Sequence, residues 1–215
     1  IGLQVRDVKT GRLALHTPIE ADNPATRSND SRVHPCGALW IGTMGKDEEK
    51  GAGSIYWFFR GELRRLYSDI TVSNSICFSA DGTIAYYTDT ATGLLMRVAC
   101  DPATGLPAGE PKVFVDHRSS KGYVDGSVVD RDGILWNAVW GGRAVKAYAP
   151  DGTLLRNYDL SKLRTLFLAG ERADPPTVEW AEQQLKVPVI DHWWQTETGW
   201  CIAGNPVGLG QLPVK

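Results

Sequence analysis

The feature of this sequence that most constrains its fold is a glycine-anchored segment that occurs three times along the chain. The three copies read "HPCGALWIGTM" (34–44), "SADGTIAYYTDT" (79–90) and "DRDGILWNAVW" (130–140). In each copy a turn glycine precedes alternating apolar residues, which is typical of a hairpin that leads into a β-strand. The glycines, Gly37, Gly82 and Gly133, lie 45 and then 51 residues apart. Repeats of about 40–50 residues in an all-β pattern indicate propeller blades.

The rest of each repeat predicts two further strands. A second hairpin follows each glycine-anchored segment, and these hairpins occupy residues 54–69, 94–116 and 144–160. Each repeat therefore holds four strands, as a propeller blade requires. We predict an all-β fold of about three blades over this part of the chain.

Oxygen-bearing side chains occupy the same position in all three repeats. Eight residues before the turn glycines, the sequence has Asn29, Asn74 and Asp125. Equivalent positions of successive blades lie on a ring around the propeller axis, so we expect these side chains to converge at the mouth of the central channel. Converging Asn and Asp oxygens suit a hard divalent cation such as Ca²⁺, Mg²⁺ or Mn²⁺. The alternative is that these residues simply cap turns, as Asn and Asp often do.

Charge and cysteine content argue against several function classes. The formal net charge of -2 favours neither nucleic acid nor an anionic membrane as a partner. No apolar run approaches the roughly 18 residues that span a bilayer. The four cysteines form neither a CxxC motif nor a Cys/His pair. This spacing argues against zinc and against disulfides, and it predicts reduced thiols in a cytoplasmic protein, while the oligomeric state stays open.

Three stretches carry a resemblance to a known family. They are "RSNDSRVHPCGALWIGTMGKDEEKGAGSIY", "SNSICFSADGTIAYYTDT" and "VDGSVVDRDGILWNAVWGG", and they occur in the family's order. Through these motifs residues 1–158 resemble the SMP-30/gluconolactonase/LRE family. The resemblance implies a partial six-bladed β-propeller with one divalent metal ion (Ca²⁺, Zn²⁺, Mn²⁺ or Mg²⁺) on its axis. It also implies a small-molecule substrate, a sugar lactone such as gluconolactone, which the protein would hydrolyse.

The same resemblance implies roles for individual residues. Asn74 and Asp125 match metal ligands of the family, and Asp125 also matches its general base. Arg27 and Asn29 match residues that hold the sugar lactone, and Asp47 falls near a further substrate-contacting position. The metal would polarise the lactone carbonyl, while Asp125 would take a proton from the attacking water. The family's remaining ligand, a Glu of the first blade, is expected upstream of this chain, so we expect a truncated lactonase with little turnover.

Beyond the third repeat the pattern changes class. Residues 159–215 show a short apolar strand, a loop, an amphipathic helix and another apolar strand. This order predicts a short α/β fragment. We expect the helix to start near Pro175 and to present Trp180, Leu185 and Val187 as a partial apolar stripe.

The run "WWQTETG" makes residues 159–215 similar to AMP-forming acyl-CoA synthetases of the propionyl- and acetyl-CoA branch. The resemblance implies residues that line adenine, shape the acyl pocket, contact phosphate and hold Mg²⁺. Gly170 and Glu171 would line adenine, and Trp194 would shape the acyl pocket. Thr196 would contact phosphate, and Glu197 would help to hold Mg²⁺. The phosphate loop, the hinge and the C-terminal Lys of that family are missing from the segment, so we expect it to be inert. We predict a chimera with parts 1–158 and 159–215; the alternative functions are a synthetase fragment and a non-catalytic product.

Overall fold

The computed structural model describes residues 2–156, 160–169, 173–194 and 201–204. The chain divides into two compact units, Ile1–Arg156 and Asn157–Lys215. We refer to them as the first and the second unit and describe each by itself. In the described residues, no helix is both long enough and apolar enough to cross a membrane.

The first unit contains a hairpin and three four-stranded antiparallel sheets. The hairpin, which the repeat pattern did not predict, consists of β1 (Gly2–Arg6) and β2 (Leu13–Pro18). The first sheet consists of β3 (Thr26–Val33), β4 (Leu39–Gly45), β5 (Gly53–Phe59) and β6 (Glu62–Ile70). The second sheet consists of β7 (Ser73–Phe78), β8 (Ile84–Asp89), β9 (Leu94–Ala99) and β10 (Lys112–Asp116). The third sheet consists of β11 (Tyr123–Val129), β12 (Leu135–Trp140), β13 (Ala144–Tyr148) and β14 (Leu154–Leu155).

Each sheet begins with the hairpin that the turn glycine predicts. The φ angles are 94° at Gly37, 71° at Gly82 and 80° at Gly133, all in the left-handed region. Each glycine N–H also donates to the carbonyl three residues earlier, over 2.8, 2.9 and 3.1 Å. A residue with a Cβ is strained in this conformation, which explains why glycine recurs at this point of the repeat. The all-β fold class is confirmed.

Two hydrophobic clusters fill the first unit. The larger cluster joins the first and second sheets around Trp40, which is fully buried and contacts the ring of Phe78 edge-on at 5.4 Å. The smaller cluster joins the second and third sheets around Leu135 and Phe114. By contrast, the side chain of Trp140 is 67% exposed. It is the last residue of β12, beside Tyr123 at the end of the sheet.

The second unit has the predicted β-α-β order. Its elements are β15 (Leu166–Leu168), α1 (Pro175–Leu185), β16 (Val189–Trp194) and β17 (Cys201–Gly204). β15 pairs in parallel with β16, as a strand-helix-strand crossover requires, and β17 is antiparallel to β16. Asp174 caps the helix by accepting the N–H of Thr177. The residues Gly170, Glu171, Thr196 and Glu197, and the side chain of Trp194, lie outside what the structure describes.

The apolar stripe expected on α1 is wrong at two positions. Val187 lies beyond Leu185, where the helix ends. Trp180 is 62% exposed, whereas Val178 and Ala181 are buried. Residues 178, 181 and 185 have the three- and four-residue spacing of one helix face. Trp180 lies two positions after Val178 and therefore falls beside that face.

Candidate functional site

The first strands of the three sheets lie side by side, and each has an irregularity at the same point. β7 contacts both β3 and β11. The pairing register shifts between Ser28 and Ser31 in β3, between Asn74 and Cys77 in β7, and between Val124 and Ser127 in β11. A bulge takes a residue out of the hydrogen-bonded ladder and redirects its side chain. Asn29 and Asp125 lie within the unpaired stretches of β3 and β11, whereas Asn74 still pairs with Thr88 and directly precedes the unpaired stretch of β7.

Hydrogen bonds at the bulges connect the first sheet to the second. The Asn29 amide donates to the Ser73 carbonyl over 2.7 Å, and the Asp30 carboxylate accepts the Ile76 N–H over 2.7 Å. Asp30 was not predicted as a site residue. In the sequence, the only sign of its role is that it immediately follows Asn29. In the structure it is the second unpaired residue of the β3 bulge.

Two further bonds connect the second sheet to the third. The Ser75 hydroxyl donates to the backbone carbonyl of Asp125, and the Thr90 hydroxyl donates to the Val124 carbonyl over 2.8 Å. Ser75 has a φ of 58°, the left-handed conformation that non-glycine residues rarely adopt. The bulge of the second sheet thus forms a hydrogen bond to the bulge of the third.

Asn29 and Asn74 differ in how their amide oxygens are used. Oδ1 of Asn29 accepts a hydrogen bond from the Arg27 guanidinium over 3.1 Å. The Asn74 side chain donates to Thr90 Oγ1 over 3.1 Å, which orients its amide. Among the described residues nothing donates to Oδ1 of Asn74. This oxygen is therefore a candidate metal ligand, whereas Asn29 is held together with Arg27.

Two carboxyl groups near the bulges are half-buried and have raised pKa values. Burial raises the pKa of Asp125 above its ordinary value, and the Gly126 N–H, which donates to that carboxyl, opposes the rise. Burial raises the pKa of Asp30 to about 6, against the opposing effects of the Ile76 N–H and the Arg32 charge. The negative charge of Asp125 adds to the rise at Asp30, so the two carboxylates interact.

The structure brings only some of the predicted residues into contact. Arg27 is exposed and contacts Asn29, while Asn74 reaches the neighbour of Asp125 through Thr90. Asp47 is exposed in the loop between β4 and β5, and its backbone N–H donates to Glu49. Within the described ranges no hydrogen bond or ion pair joins the Asp47 carboxylate to the bulges. The convergence of the three side chains on one ion, and the role of Asp47, stay predictions.

The donor chemistry available at the bulges defines what they could hold. In the part of the chain that the structure describes, no group of three or more His, Cys, Asp and Glu side chains lies close enough to bind a metal ion. A cation at the bulges would therefore depend on the Asn74 amide oxygen together with the Asp125 carboxylate. Such oxygen donors suit hard cations, and further positions would be filled by water or substrate.

A polar cleft of about 440 Å³ lies elsewhere in the first unit. Glu20, Tyr56 and Arg65 line it, and none of the predicted site residues does. The Tyr56 hydroxyl donates to Glu20 over 2.8 Å, so the carboxylate is already held by its own chain. We do not assign the candidate chemistry to this cleft, because the carboxylate and amide oxygens predicted to act are at the bulges.

Residues 1–173 match the family model described as SMP-30/gluconolactonase/LRE-like region. The chain belongs to this family. A putative sugar lactone lactonase of Rhizobium meliloti is 52% identical over 157 residues, which are 73% of this chain and 53% of that protein. A solved structure of regucalcin, a calcium-binding protein from Agrobacterium tumefaciens, matches with 53% identity and a TM-score of 0.70. That match covers 72% of this chain and 52% of the regucalcin chain.

These SMP-30-family relatives confirm the propeller-like arrangement of the sheets, while the number of blades in the complete fold stays a prediction. The chain spans about half the length of the relatives it matches in this family. The second predicted resemblance is also confirmed. A human mitochondrial acyl-CoA synthetase, short-chain family member 3, is 50% identical over 68 residues, which are 32% of this chain and 10% of that protein.

Proposed function

We propose that the first unit carries metal- and substrate-binding side chains of a sugar lactonase, an enzyme that hydrolyses an aldonolactone such as gluconolactone. The observation that carries this proposal is the bulge at one equivalent point of β3, β7 and β11. It takes Asn29 and Asp125 out of their ladders, and Asn74 is the paired residue directly before the bulge of β7. Relatives named as lactonases support the same substrate class.

We propose Asn74 and Asp125 as ligands of one divalent metal ion. Support comes from the unused Oδ1 of Asn74 and from the half-buried carboxyl of Asp125. The relative regucalcin is named as a calcium-binding protein, which agrees with hard oxygen donors. When bound, the ion would polarise the lactone carbonyl. A titration with Ca²⁺, Mn²⁺, Mg²⁺ and Zn²⁺ would decide which ion the site prefers.

The residues of the chain would carry the remaining steps. Asp125 would take a proton from the water whose oxygen attacks the lactone carbonyl carbon. The ring C–O bond would then break, and the departing ring oxygen would take the proton held by Asp125 and become a hydroxyl. Arg27 would donate to the lactone oxygens, and Asn29, fixed by Arg27 and by the Ser73 carbonyl, would complete the binding surface.

The experiment measures metal binding and lactone hydrolysis in the same samples. Wild type, Asp125→Asn and the control Asp132→Asn are titrated with Mn²⁺ and assayed with gluconolactone and with a pentonolactone. Asp132 is an exposed aspartate in the neighbouring turn, so its replacement removes one charge without touching the bulges. We expect Asp125→Asn to lose metal binding and any hydrolysis, and Asp132→Asn to retain both. Binding and turnover unaffected by Asp125→Asn would reject the assignment.

The second unit suggests a second candidate function, because its relatives include acyl-CoA synthetases. In that case Gly170, Glu171, Thr196 and Glu197 would bind nucleotide. ATP–pyrophosphate exchange in the presence of propionate tests this function. We expect no exchange, and measurable exchange that depends on propionate would establish the second candidate.

A further inference from the structure

The β11 bulge leaves two backbone carbonyls next to the candidate catalytic group without partners in the ladder. Val124 pairs with Val139, and the next pair is Ser127 with Asn137. Asp125 and Gly126 therefore lie on an unpaired stretch of β11. Because unpaired carbonyls in a buried strand need another donor, something else must hold this segment in place.

The side-chain amide of Asn137 supplies that donor. Asn137 is fully buried in β12. Its Nδ2 lies 3.2 Å from the carbonyl oxygen of Asp125 and 3.3 Å from that of Gly126. It also lies 3.0 Å from the Ser127 hydroxyl and 3.3 Å from the Ser75 hydroxyl. One amide group thus serves both unpaired carbonyls of the bulge.

The neighbouring sheet holds the same carbonyl from the other side. The Ser75 hydroxyl donates to the Asp125 carbonyl and lies 2.8 Å from the Ser127 hydroxyl. The backbone of Asp125 is therefore held by β12 of its own sheet and by β7 of the next. A backbone fixed at its carbonyl leaves the attached side chain few directions in which to point.

An amide at this position is particular to the third sheet. The corresponding stretches of the other second strands carry apolar or aromatic residues, Ile41 in β4 and Tyr86 and Tyr87 in β8, and all three are buried. Oδ1 of Asn137 is buried and has no hydrogen-bond partner among the residues that the structure describes. A buried acceptor without a partner is unfavourable for stability, so stability alone does not explain the amide.

We propose that Asn137 is a positioning residue that directs the Asp125 carboxylate toward the metal and the substrate by holding the β11 bulge. The inference rests on the function proposed above for Asp125. Asn137 does not touch the reacting atoms and acts only through the backbone of residues 125 and 126. The third sheet, which has the amide of Asn137, is also the sheet whose bulge carries the predicted general base, Asp125.

The test compares Asn137→Ile, which installs the residue found in β4, with Trp57→Phe. The Trp57 indole donates to the Thr104 carbonyl over 2.8 Å and is buried in the first sheet, so the control also removes a buried side-chain donor to a backbone carbonyl. Mn²⁺ affinity is measured by electron paramagnetic resonance. We expect Asn137→Ile to weaken affinity by about 10-fold, the lower end for residues that orient a ligand, and Trp57→Phe to leave it unchanged. Equal affinities for Asn137→Ile and wild type would overturn the proposal.

A second readout does not depend on metal. NMR of the metal-free protein compares amide exchange at residues 125–127 in wild type and variant. We expect amide exchange at these residues to be faster than in wild type in Asn137→Ile and unchanged in Trp57→Phe. If wild type binds no Mn²⁺, the metal site fails and the positioning role with it; if wild type binds and only the Asn137 result fails, the site stands without the positioning role. Should Asn137→Ile not fold, Asn137→Ser, which keeps one donor, must bind Mn²⁺ more weakly than wild type, and equal affinities of these two proteins would overturn the proposal.

Discussion

Replacing Asp30 by Asn should stabilise the protein at neutral pH. The Asp30 carboxyl accepts the Ile76 N–H over 2.7 Å, and burial raises its pKa from 3.8 to about 6. At pH 7 the Asp30 carboxylate is therefore charged in the folded protein, where burial makes this charge less favourable than it is in the unfolded chain. A shift of about two pKa units corresponds to about 3 kcal/mol, since each unit is worth about 1.4 kcal/mol. Asn retains an acceptor for the Ile76 N–H and removes the charge.

The sign of the pH dependence follows from the raised pKa. Between pH 4 and pH 6 the folded state binds the Asp30 proton before the unfolded state does, so this group makes the wild type more stable as the pH falls. The advantage of Asp30→Asn should therefore be about 2–3 kcal/mol at pH 7 and should shrink toward zero near pH 4. Urea unfolding of both proteins at the two pH values measures it.

The control for this experiment is Asp132→Asn, an exposed aspartate of the β11–β12 turn. Its effect should stay within about 0.5 kcal/mol at both pH values, as is usual for surface substitutions. The claim that burial of this carboxylate destabilises the folded protein would be refuted in either of two cases. In the first, Asp30→Asn is less stable than wild type at pH 7; in the second, its gain in unfolding free energy is the same at pH 4 and pH 7.

Two further predictions concern the scaffold. A Cβ on Gly82, where φ is 71°, would lie 2.7 Å from the His34 ring, so Gly82→Ala should destabilise the protein by about 1–3 kcal/mol in thermal or urea unfolding. Gly109→Ala is the control, because a Cβ there meets nothing within 4 Å, and an equal loss in both variants would contradict the argument. Trp40→Ala should cost about 3–5 kcal/mol because Trp40 is fully buried, whereas Trp140→Ala, at a side chain 67% exposed, should change stability by less than about 0.5 kcal/mol. Similar losses for the two tryptophans would show that burial does not determine how much stability each substitution removes.

Local sequence signals predicted the strands of the first unit well, because each signal acts over a few residues. The glycine turns at Gly37, Gly82 and Gly133 mark the first hairpin of every sheet, and the alternating apolar residues after them form β4, β8 and β12. The β1–β2 hairpin was missed because it has no copy elsewhere in the chain and its second strand is exposed apart from one half-buried residue. The repeat therefore revealed those elements that share one pattern.

The candidate site shows the limit of such signals. Counting back from the glycines placed Asn29, Asn74 and Asp125 at equivalent points, and the structure has Asn29 and Asp125 inside bulges but Asn74 one residue before the bulge of β7. The same count gives no reason to select Asp30 or Asn137. Both act across strands or sheets, Asp30 on an N–H 46 residues away and Asn137 on carbonyls of the strand beside it.

The amino-acid sequence by itself determined the repeat, the turns, the strand order within each repeat and the two family resemblances, since all of these depend on residues that are near one another in the chain. Only the tertiary structure decided which tryptophans are buried, where the ladders bulge, and which donors hold the backbone of Asp125. The physical reason is that burial and hydrogen bonding depend on what packs against a residue. For Asn137 these neighbours include Ser75, a residue of another sheet, 62 positions earlier in the chain.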